Sequence, residues 1–455
     1  MKLARCIILL TVLSGMAATL FAGGFALSGL GTRAVSLGGA FRGMADDGSA
    51  MYWNPAGLAF LNQNEISLGV TAIQPSASWQ NTDATLPGFT TTELDAVKKL
   101  RAFPNFFASY NKVPDLSFGF GAFVPYGLGS TWDAYTLPAT MLGSALTWSP
   151  GFPKDEMASS VAVIDIHPTV AYRPLENFSF GLGLSLLYGS IDLAQIKPSP
   201  TSSYFAPTTF DMSGSGLGVG GNLGLMYKPL KKLSLGFNGR WPSNIYLQGE
   251  AEVLLWLSDL ANFSVWGNNP AFMVPATYGG TEDITAQLKL PAELGGGLSY
   301  QLTPQMTLNL DYAYTMWDRL DMVKVEMENP IVVLAGHPTM QATVTETDLV
   351  FDWQNTHRVS LGAEYRLPCT SIRAGAYYDQ TPIEEATQLP TLSDIGDKIS
   401  GNLGFGRDFG NLTVDLSGQY VYFPERTVAT QTATNMAGVY NASVISGTLN
   451  LKYRF

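Results

Sequence analysis

The sequence predicts an all-β protein: a 14-stranded antiparallel transmembrane β-barrel with an N-terminal hatch, or plug, inside the lumen. Three observations lead there. The chain opens with an export signal. Long segments alternate apolar and polar residues with no spanning helix. Between the two stands a compact Gly- and Ala-rich stretch, GTRAVSLGGAFRGMADDGSAMYWNPAGLAFL, from Gly31 to Leu61.

The signal fixes the compartment. Lys2 and Arg5 precede an apolar run from Cys6 to Leu13, and small residues follow to Ala22, the layout of a cleavable secretory signal peptide over residues 1–22. The run is far shorter than the roughly 20 apolar residues of a spanning helix. Cys6 precedes the apolar run, so it is not a lipid-attachment cysteine, and it leaves with the signal. Cys369 is then the one remaining cysteine, and no disulfide framework exists.

Composition narrows the class. The 26 basic residues fall to 24 when Lys2 and Arg5 leave, against 37 acidic ones, a formal charge of −13 that argues against a nucleic-acid partner. Charged residues make up 14% of the chain, well below the roughly 25% of a soluble domain, and Tyr and Phe are abundant. After the signal there is no run of 18 apolar residues. An apolar exported chain without a spanning helix has one other way to cross a membrane, the closed barrel of the bacterial outer membrane.

The stretch from Gly31 to Leu61 alternates like no strand and is too rich in Gly, Ala and Asn-Pro for one long helix. Residues 23–62 are therefore assigned to the hatch and 63–455 to the barrel. Gly38, Gly39 and Ala40 allow tight folding inside a lumen, and Asn54-Pro55 supplies a fixed turn before the first strand. Asp46 and Asp47 read as turn formers or as partners for inward arginines. Phe25 and Asn54 mark where the hatch would move.

The strands follow from period-two patterning. At the C-terminus Ile445, Gly447, Leu449, Leu451, Tyr453 and Phe455 share one face, and Ser446, Thr448, Asn450, Lys452 and Arg454 share the other. The segments from Met306 and from Phe178 repeat the pattern. Their polar faces are Gly, Ser, Thr and Asn rather than charges, which suits a barrel better than a soluble sandwich. Strands are expected near 63–73, 102–112, 115–126, 160–173, 177–195, 211–229, 232–252, 283–302, 305–328, 356–367, 370–380, 397–407, 411–424 and 442–455. Tight turns such as Val113-Pro114-Asp115 and Thr303-Pro304 alternate with long loops, as short periplasmic turns and long outer loops should.

Three sets of residues bear on a ligand. The expected outer loop 253–278 is unusually apolar, with Trp256, Leu257, Leu260, Phe263 and Trp266 as a capture surface, or as residues that pack to cap the barrel. Met141, Leu142, Leu146, Trp148 and Phe152 add to it. By alternation Arg240, Lys289, Arg358, Arg366 and Arg373 face the lumen beside Glu293, Asp311, Glu364 and Asp415. Cross-strand pairing among them is the simpler reading, and Arg240 and Lys289 are kept as candidates for an anionic head group. In the third strand Gly119, Gly121 and Pro125 mark either a wall defect suited to a lateral exit or, for Pro125, the strand's end.

The ordered set of Gly38-Gly39-Ala40-Phe41, Ala45-Asp46-Asp47, Asn54-Pro55-Ala56-Gly57-Leu58 and FGFGAFVPYGLGSTWD from Phe118 resembles the FadL-type family of outer-membrane transporters. HPTVAYRPLENFSFGLG, NLGLMYKPLKKLSLGFNGR, LPAELGGGLSYQLTP, LDYAYTMWDRLD, LGAEYRL and YDQTP extend the likeness over nearly the whole chain. The resemblance implies a plugged fourteen-stranded barrel that passes long-chain fatty acids or related hydrophobic compounds. It also implies a kinked third strand through which ligand leaves into the membrane.

No catalytic site, metal or cofactor is expected. His167, His337 and His357 show no metal spacing, and Gly216 to Gly221 matches GxGxxG inside a strand pattern that opens no helix. The alternatives are a barrel phospholipase, which needs Ser and His together on the outer wall, and a general diffusion porin, which the hatch and apolar loops oppose. The expected partners are a hydrophobic ligand and outer-membrane lipid, with the chain acting as a monomer.

Overall fold

The structure is a computed structural model. It describes residues 24–455 except 28, 84–87, 137–139, 142–143, 146, 148–150, 198–206, 260–275, 334–341, 393 and 433. The signal region and the capture candidates Leu260, Phe263 and Trp266 lie outside the described residues, as do Leu142, Leu146 and Trp148.

Fourteen antiparallel strands close into a barrel. They are β1 (Glu65–Gln80), β2 (Arg101–Val113), β3 (Leu116–Trp132), β4 (Met157–Leu175), β5 (Phe178–Lys197) and β6 (Thr208–Leu230). Four two-part strands follow: β7 (Leu233–Arg240 and Ser243–Leu257), β8 (Ala276–Leu290 and Ala292–Gln301), β9 (Met306–Met316 and Met322–Val333) and β10 (Ala342–Val350 and Thr356–Leu367). β11 (Thr370–Asp379), β12 (Lys398–Phe409), β13 (Leu412–Val428) and β14 (Gly438–Arg454) complete the wall. β1 pairs with β14 from Glu65↔Arg454 to Gln80↔Val439, so no sheet edge is left at the seam.

The alternation read from sequence is the alternation of the wall. In β14 Ile445, Leu449, Leu451 and Tyr453 are exposed outward while Ser446, Thr448 and Lys452 are buried inside. Leu182, Leu184, Leu186 and Tyr188 of β5 give the same outward band. An apolar outer face is what the hydrocarbon core requires of a closed barrel, whose backbone polar groups are all satisfied between strands.

Two features go beyond the expected strands. β7 to β10 are each interrupted at a similar level: Pro242 and Pro291 remove ladder donors, and residues 317–321 and 351–355 leave β9 and β10. These breaks turn Trp317 and Trp353 inward, where both are buried. The outer ends also run further than expected. Residues 253–257 continue β7 and pair with 276–280 of β8, so Trp256 and Leu257 belong to a strand rather than a loop. Leu257 is buried with Val253, Leu255, Ile331 and Val333, and that burial offsets the cost of extending the ladder above the membrane.

The hatch occupies the lumen. Gly31 and Gly38 have φ of 82° and 68°, and these left-handed turns limit α1 (Thr32–Ser36) to five residues. α2 (Ala50–Trp53) and a 3-10 turn (Pro55–Phe60) follow. Leu37, Phe41, Met51, Trp53 and Leu58 form a core that the wall completes with Phe107, Phe123 and Met226.

Candidate functional site

The wall is irregular at β3. β2 and β3 pair from Val113↔Leu116 to Phe106↔Ala122 and then part. β2 stays with β1 as far as Ile73↔Arg101, and β3 stays with β4 to Trp132↔Met157. Between Phe123↔Asp165 and Tyr126↔Val163, Val124 and Pro125 together oppose Ile164 alone, a bulge that bends the strand. Pro125 brings no amide to be satisfied there. Above the parting, Val97 N donates to Thr131 O at 2.8 Å, so the interruption is bounded at both ends.

The start of the hatch fills this interval. Leu27 N donates to Pro125 O at 3.0 Å, Gly127 N donates to Phe25 O at 3.2 Å, and Ala26 bridges Tyr126 in antiparallel fashion. Leu27 packs with Ile73 and Val124, against which Phe103, Leu128 and Val444 also lie. A three-residue strand thus satisfies backbone groups that β2 leaves open.

The same segment floors a cavity of about 600 Å³, within the size range of small-molecule sites. Gly24, Phe25, Leu128, Val161, Ile191, Leu193, Trp353, Ile383 and Leu392 line it, with Asp192, Asp348 and Asp394 among the polar contributors. The Phe25 ring lies 5.6 Å from Tyr126, 5.0 Å from Trp317 and 5.6 Å from Trp353, centroid to centroid. Asp394 Oδ2 accepts from Gly24 N at 2.5 Å and from Lys398 Nζ at 2.8 Å. Burial pushes the Asp394 carboxyl up, against the pull of Lys398.

Below the cavity two arginines fasten the hatch. Arg33 forks onto Glu364 of β10, with Nε to Oε2 at 2.7 Å and Nη2 to Oε1 at 2.9 Å. Glu364 also takes Arg366 and Arg373, and Arg373 reaches Asp415 at 2.7 Å. Arg33 Nη1 donates to Asp46 at 2.5 Å. Burial would raise the Asp46 carboxyl, yet Arg33 and Arg366 hold it below the usual carboxylate range. Arg42 meets three strands: Nε donates to Asn238 Oδ1 at 2.7 Å, Nη2 to Glu293 at 2.7 Å, and its backbone N to Asp311 Oδ2 at 2.7 Å. Its guanidinium lies 5.2 Å from the Trp53 ring centroid. Of the inward charges foreseen from alternation, Glu293, Asp311, Glu364, Arg366, Arg373 and Asp415 are engaged with one another or with Arg33 and Arg42, which sequence patterning did not single out. Lys289 instead alternates with the buried Leu288 and Leu290 and pairs with Asp321 on the exposed side rather than facing the lumen.

Asn54 is fully buried; Nδ2 donates to Arg42 O and Leu225 O at 3.0 Å each, and Oδ1 accepts from Ala56 N at 3.2 Å. A side chain at Gly224 would place its Cβ 2.2 Å from Asn54 Oδ1, so glycine lets the Asn-Pro turn lie against the wall. Pro55 begins the 3-10 turn at this contact, at a distance from the cavity lining. Of the described ligand candidates, Phe25 alone lines the cavity. Arg240 stacks 4.2 Å from the Tyr52 ring centroid and donates to Tyr52 O, and Lys289 pairs with Asp321. Trp256 is buried, donates to Thr209 Oγ1 at 3.0 Å and packs on Phe152. Gly119 and Gly121 sit in the regular β2–β3 ladder, and Pro125 is in the bulge.

One polar cluster combines the residue types of a hydrolase. His167 Nδ1 lies 3.2 Å from Asp165 Oδ2 and 3.0 Å from Ser185 Oγ, and Nε2 lies 3.2 Å from Asn222 Oδ1. Ser185 itself donates to Asp165 at 2.9 Å. A relay needs Ser and acid on opposite ring nitrogens. Here both share Nδ1, inside the lumen, and Asn222 Nδ2 ties the cluster to Met51 O at 2.9 Å. Among the described residues no group of His, Cys, Asp and Glu could hold a metal ion.

A closed antiparallel barrel with an apolar outer band and a plugged lumen defines an integral outer-membrane protein. A model of the outer membrane protein transport protein family (OMPP1/FadL/TodX) matches residues 12–455, and the chain belongs to that family. Outer membrane protein P1 of Haemophilus influenzae is 26% identical over 472 residues, covering 92% of this chain and 93% of that one. A putative outer membrane protein of Neisseria meningitidis is 23% identical over 440 residues, covering 92% and 90%. A FadL homologue of Pseudomonas aeruginosa shares the fold with a TM-score of 0.76 at 19% identity, over 95% of this chain and 100% of that one. The toluene transporter TodX of P. putida gives a TM-score of 0.71 at 19% identity, over 94% and 99%. The chain is thus a transport protein of the bacterial outer membrane.

Proposed function

We propose that the protein is a passive uptake channel for hydrophobic molecules, long-chain fatty acids or related lipids and hydrocarbons. Ligand adsorbs at the outer surface, enters the lumen cavity, and leaves sideways between β2 and β3 when the hatch shifts. The observation that carries this reading is the double role of residues 24–27. Gly24 and Phe25 floor an apolar cavity, and Phe25 to Leu27 fill the interval where β2 and β3 part. One movement of that segment joins cavity to membrane. Each methylene buried on the way is worth about 0.8 kcal/mol, enough for an apolar cavity to hold a dilute ligand. The solved relatives described as a toluene transporter and a monoaromatic hydrocarbon channel agree with an apolar cargo.

The test is a reversible lock. Ala26 and Tyr126 are bridge partners flanked by the two hydrogen bonds, hence a non-hydrogen-bonded pair of close Cα spacing, about 4.5 Å, within reach of a disulfide. The double variant Ala26→Cys, Tyr126→Cys is expected to stop uptake of labelled fatty acid or toluene when oxidised and to regain it with reductant. Uptake unaffected by the lock removes the lateral route. Free sugar flux in liposome swelling would instead make the protein a diffusion porin.

A further inference from the structure

We infer that three neighbouring periplasmic turns form a binding surface for anionic phospholipid, on the periplasmic side of the place where β2 and β3 part. The turns are those between β2 and β3, β4 and β5, and β6 and β7, short connections of the kind that faces the periplasm. They are joined side by side: Arg173 N donates to Asp115 O and Lys228 N to Asn177 O, each at 2.8 Å. Each repeats one pattern, Tyr110-Asn111-Lys112-Val113-Pro114, Tyr172-Arg173-Pro174-Leu175 and Tyr227-Lys228-Pro229-Leu230, the last extended by Lys231 and Lys232. Five cations thus stand against Asp115 and Glu176 in a chain whose net charge is −11.

Two features fit a lipid headgroup rather than bulk water. Tyr110, Tyr172 and Tyr227 are exposed outward at the strand ends, the aromatic level of a membrane interface. Just beyond them Val113, Leu175 and Leu230 are also exposed, the two leucines by 61% and 63%. Apolar side chains so placed gain by dipping into the boundary between headgroups and acyl chains, which sets the neighbouring cations at the height of the phosphates. The cations divide by partner. Arg173 and Lys228 lie 5.6 and 3.8 Å from the ring centroid of Phe60, the end of the hatch's 3-10 turn, and Arg173 meets Asp115 at 3.8 Å. Lys112, Lys231 and Lys232 are exposed, and among the described residues they make no ion pair. They are the groups left to hold a phosphate. A zwitterionic headgroup offsets most of the attraction with its own ammonium, so the surface favours a lipid of net negative charge. Each cation near an anionic lipid surface is worth about fivefold in binding.

Native mass spectrometry of the purified full chain in detergent, given equal amounts of phosphatidylglycerol and phosphatidylethanolamine with the same acyl chains, tests this. Phosphatidylglycerol is expected to bind about tenfold more often, and the preference should shrink as salt is raised. The triple variant Lys112→Gln, Lys231→Gln, Lys232→Gln should abolish most of that preference, while Lys112→Arg, Lys231→Arg, Lys232→Arg should keep it. Lys98→Gln, Lys99→Gln, Lys154→Gln removes the same charge from exposed positions toward the outer side and should leave the preference unchanged. Equal binding of the two lipids overturns the inference, as does a preference that survives the periplasmic Gln variant or falls equally in the outer one. Displacement of bound lipid by free glycerophosphate at the same concentration would make the turns a site for soluble phosphate and overturn the lipid assignment.

Discussion

The amide of Leu27 donates to the carbonyl of Pro125 across 3.0 Å, joining the first residues of the hatch to the bulged strand of the wall. The bond is local in space and remote in sequence. It makes the N-terminal segment a removable piece of the barrel ladder, shorter than any true strand. Leu27→Pro deletes the donor. A neutral hydrogen bond is worth about 1 kcal/mol, so the segment should open roughly fivefold more often. Hydrogen exchange at the Gly127 amide, which donates to Phe25 O, reads that opening, and exchange at β5 amides should stay unchanged.

Glu364 is the hub for the hatch's other end. It is almost fully buried and takes Arg33, Arg366 and Arg373. Glu364→Gln leaves Arg33 and Arg366 with Asp46 and Arg373 with Asp415 but removes the carboxylate the three share, and breaking a buried charge network in this way costs about 3–5 kcal/mol. The loss should fall on the hatch rather than the wall, because the β10 ladder to β9 and β11 does not use the side chain. Limited proteolysis should therefore cut between residues 29 and 60 in the variant, while the folded barrel band on unheated gels persists.

Asp46 sets how the hatch answers acid. Its carboxyl is held below the usual range when folded, so its contribution is fully present above the unfolded carboxylate value and is lost only as pH falls through the lower folded value. Protease protection of the hatch should thus be flat from pH 8 to about pH 4, the ordinary carboxylate pKa, and decline only below that. A decline centred near pH 6 would contradict the assignment. Asp46→Asn should remove the acid-dependent part, lowering protection at neutral pH to the level the native protein reaches in acid, so that the two converge at low pH.

The barrel was legible because its physics is periodic. Leu449, Leu451 and Tyr453 face out and Thr448, Asn450 and Lys452 face in for the same reason in sequence as in structure, the two-residue repeat of a strand at a water-to-lipid boundary. The hatch has no such period. Nothing in the spacing of Arg33 and Arg42 reveals Glu364 and Asp311, which lie 331 and 269 residues away, although alternation had already turned those acids inward. The parting of β2 from β3 was hidden for another reason. Gly119, Gly121 and Pro125 are all plausible defects in one strand, and only the partner register shows that the ladder to β2 ends at Ala122 and that the bulge against β4 lies between Phe123 and Tyr126. The breaks that carry Trp317 and Trp353 inward interrupt segments whose alternation is good on either side.

Phe25 is where floor, gap and cavity meet, and its replacement separates them. Its ring contacts Tyr126, Trp317 and Trp353, and it is buried, so Phe25→Ala forfeits the about 3–5 kcal/mol typical of deleting a buried aromatic. Its carbonyl, which accepts from Gly127, is untouched. The floor therefore loses weight while the backbone latch keeps its bonds. Two results are expected together: tryptophan emission shifts as Trp317 and Trp353 lose a shared neighbour, and bound naphthalene leaves faster in stopped-flow dilution. The Ala26→Cys, Tyr126→Cys lock added to Phe25→Ala decides the route. If the oxidised lock restores slow release, ligand passes the segment it holds; if release stays fast, ligand returns through the outer mouth.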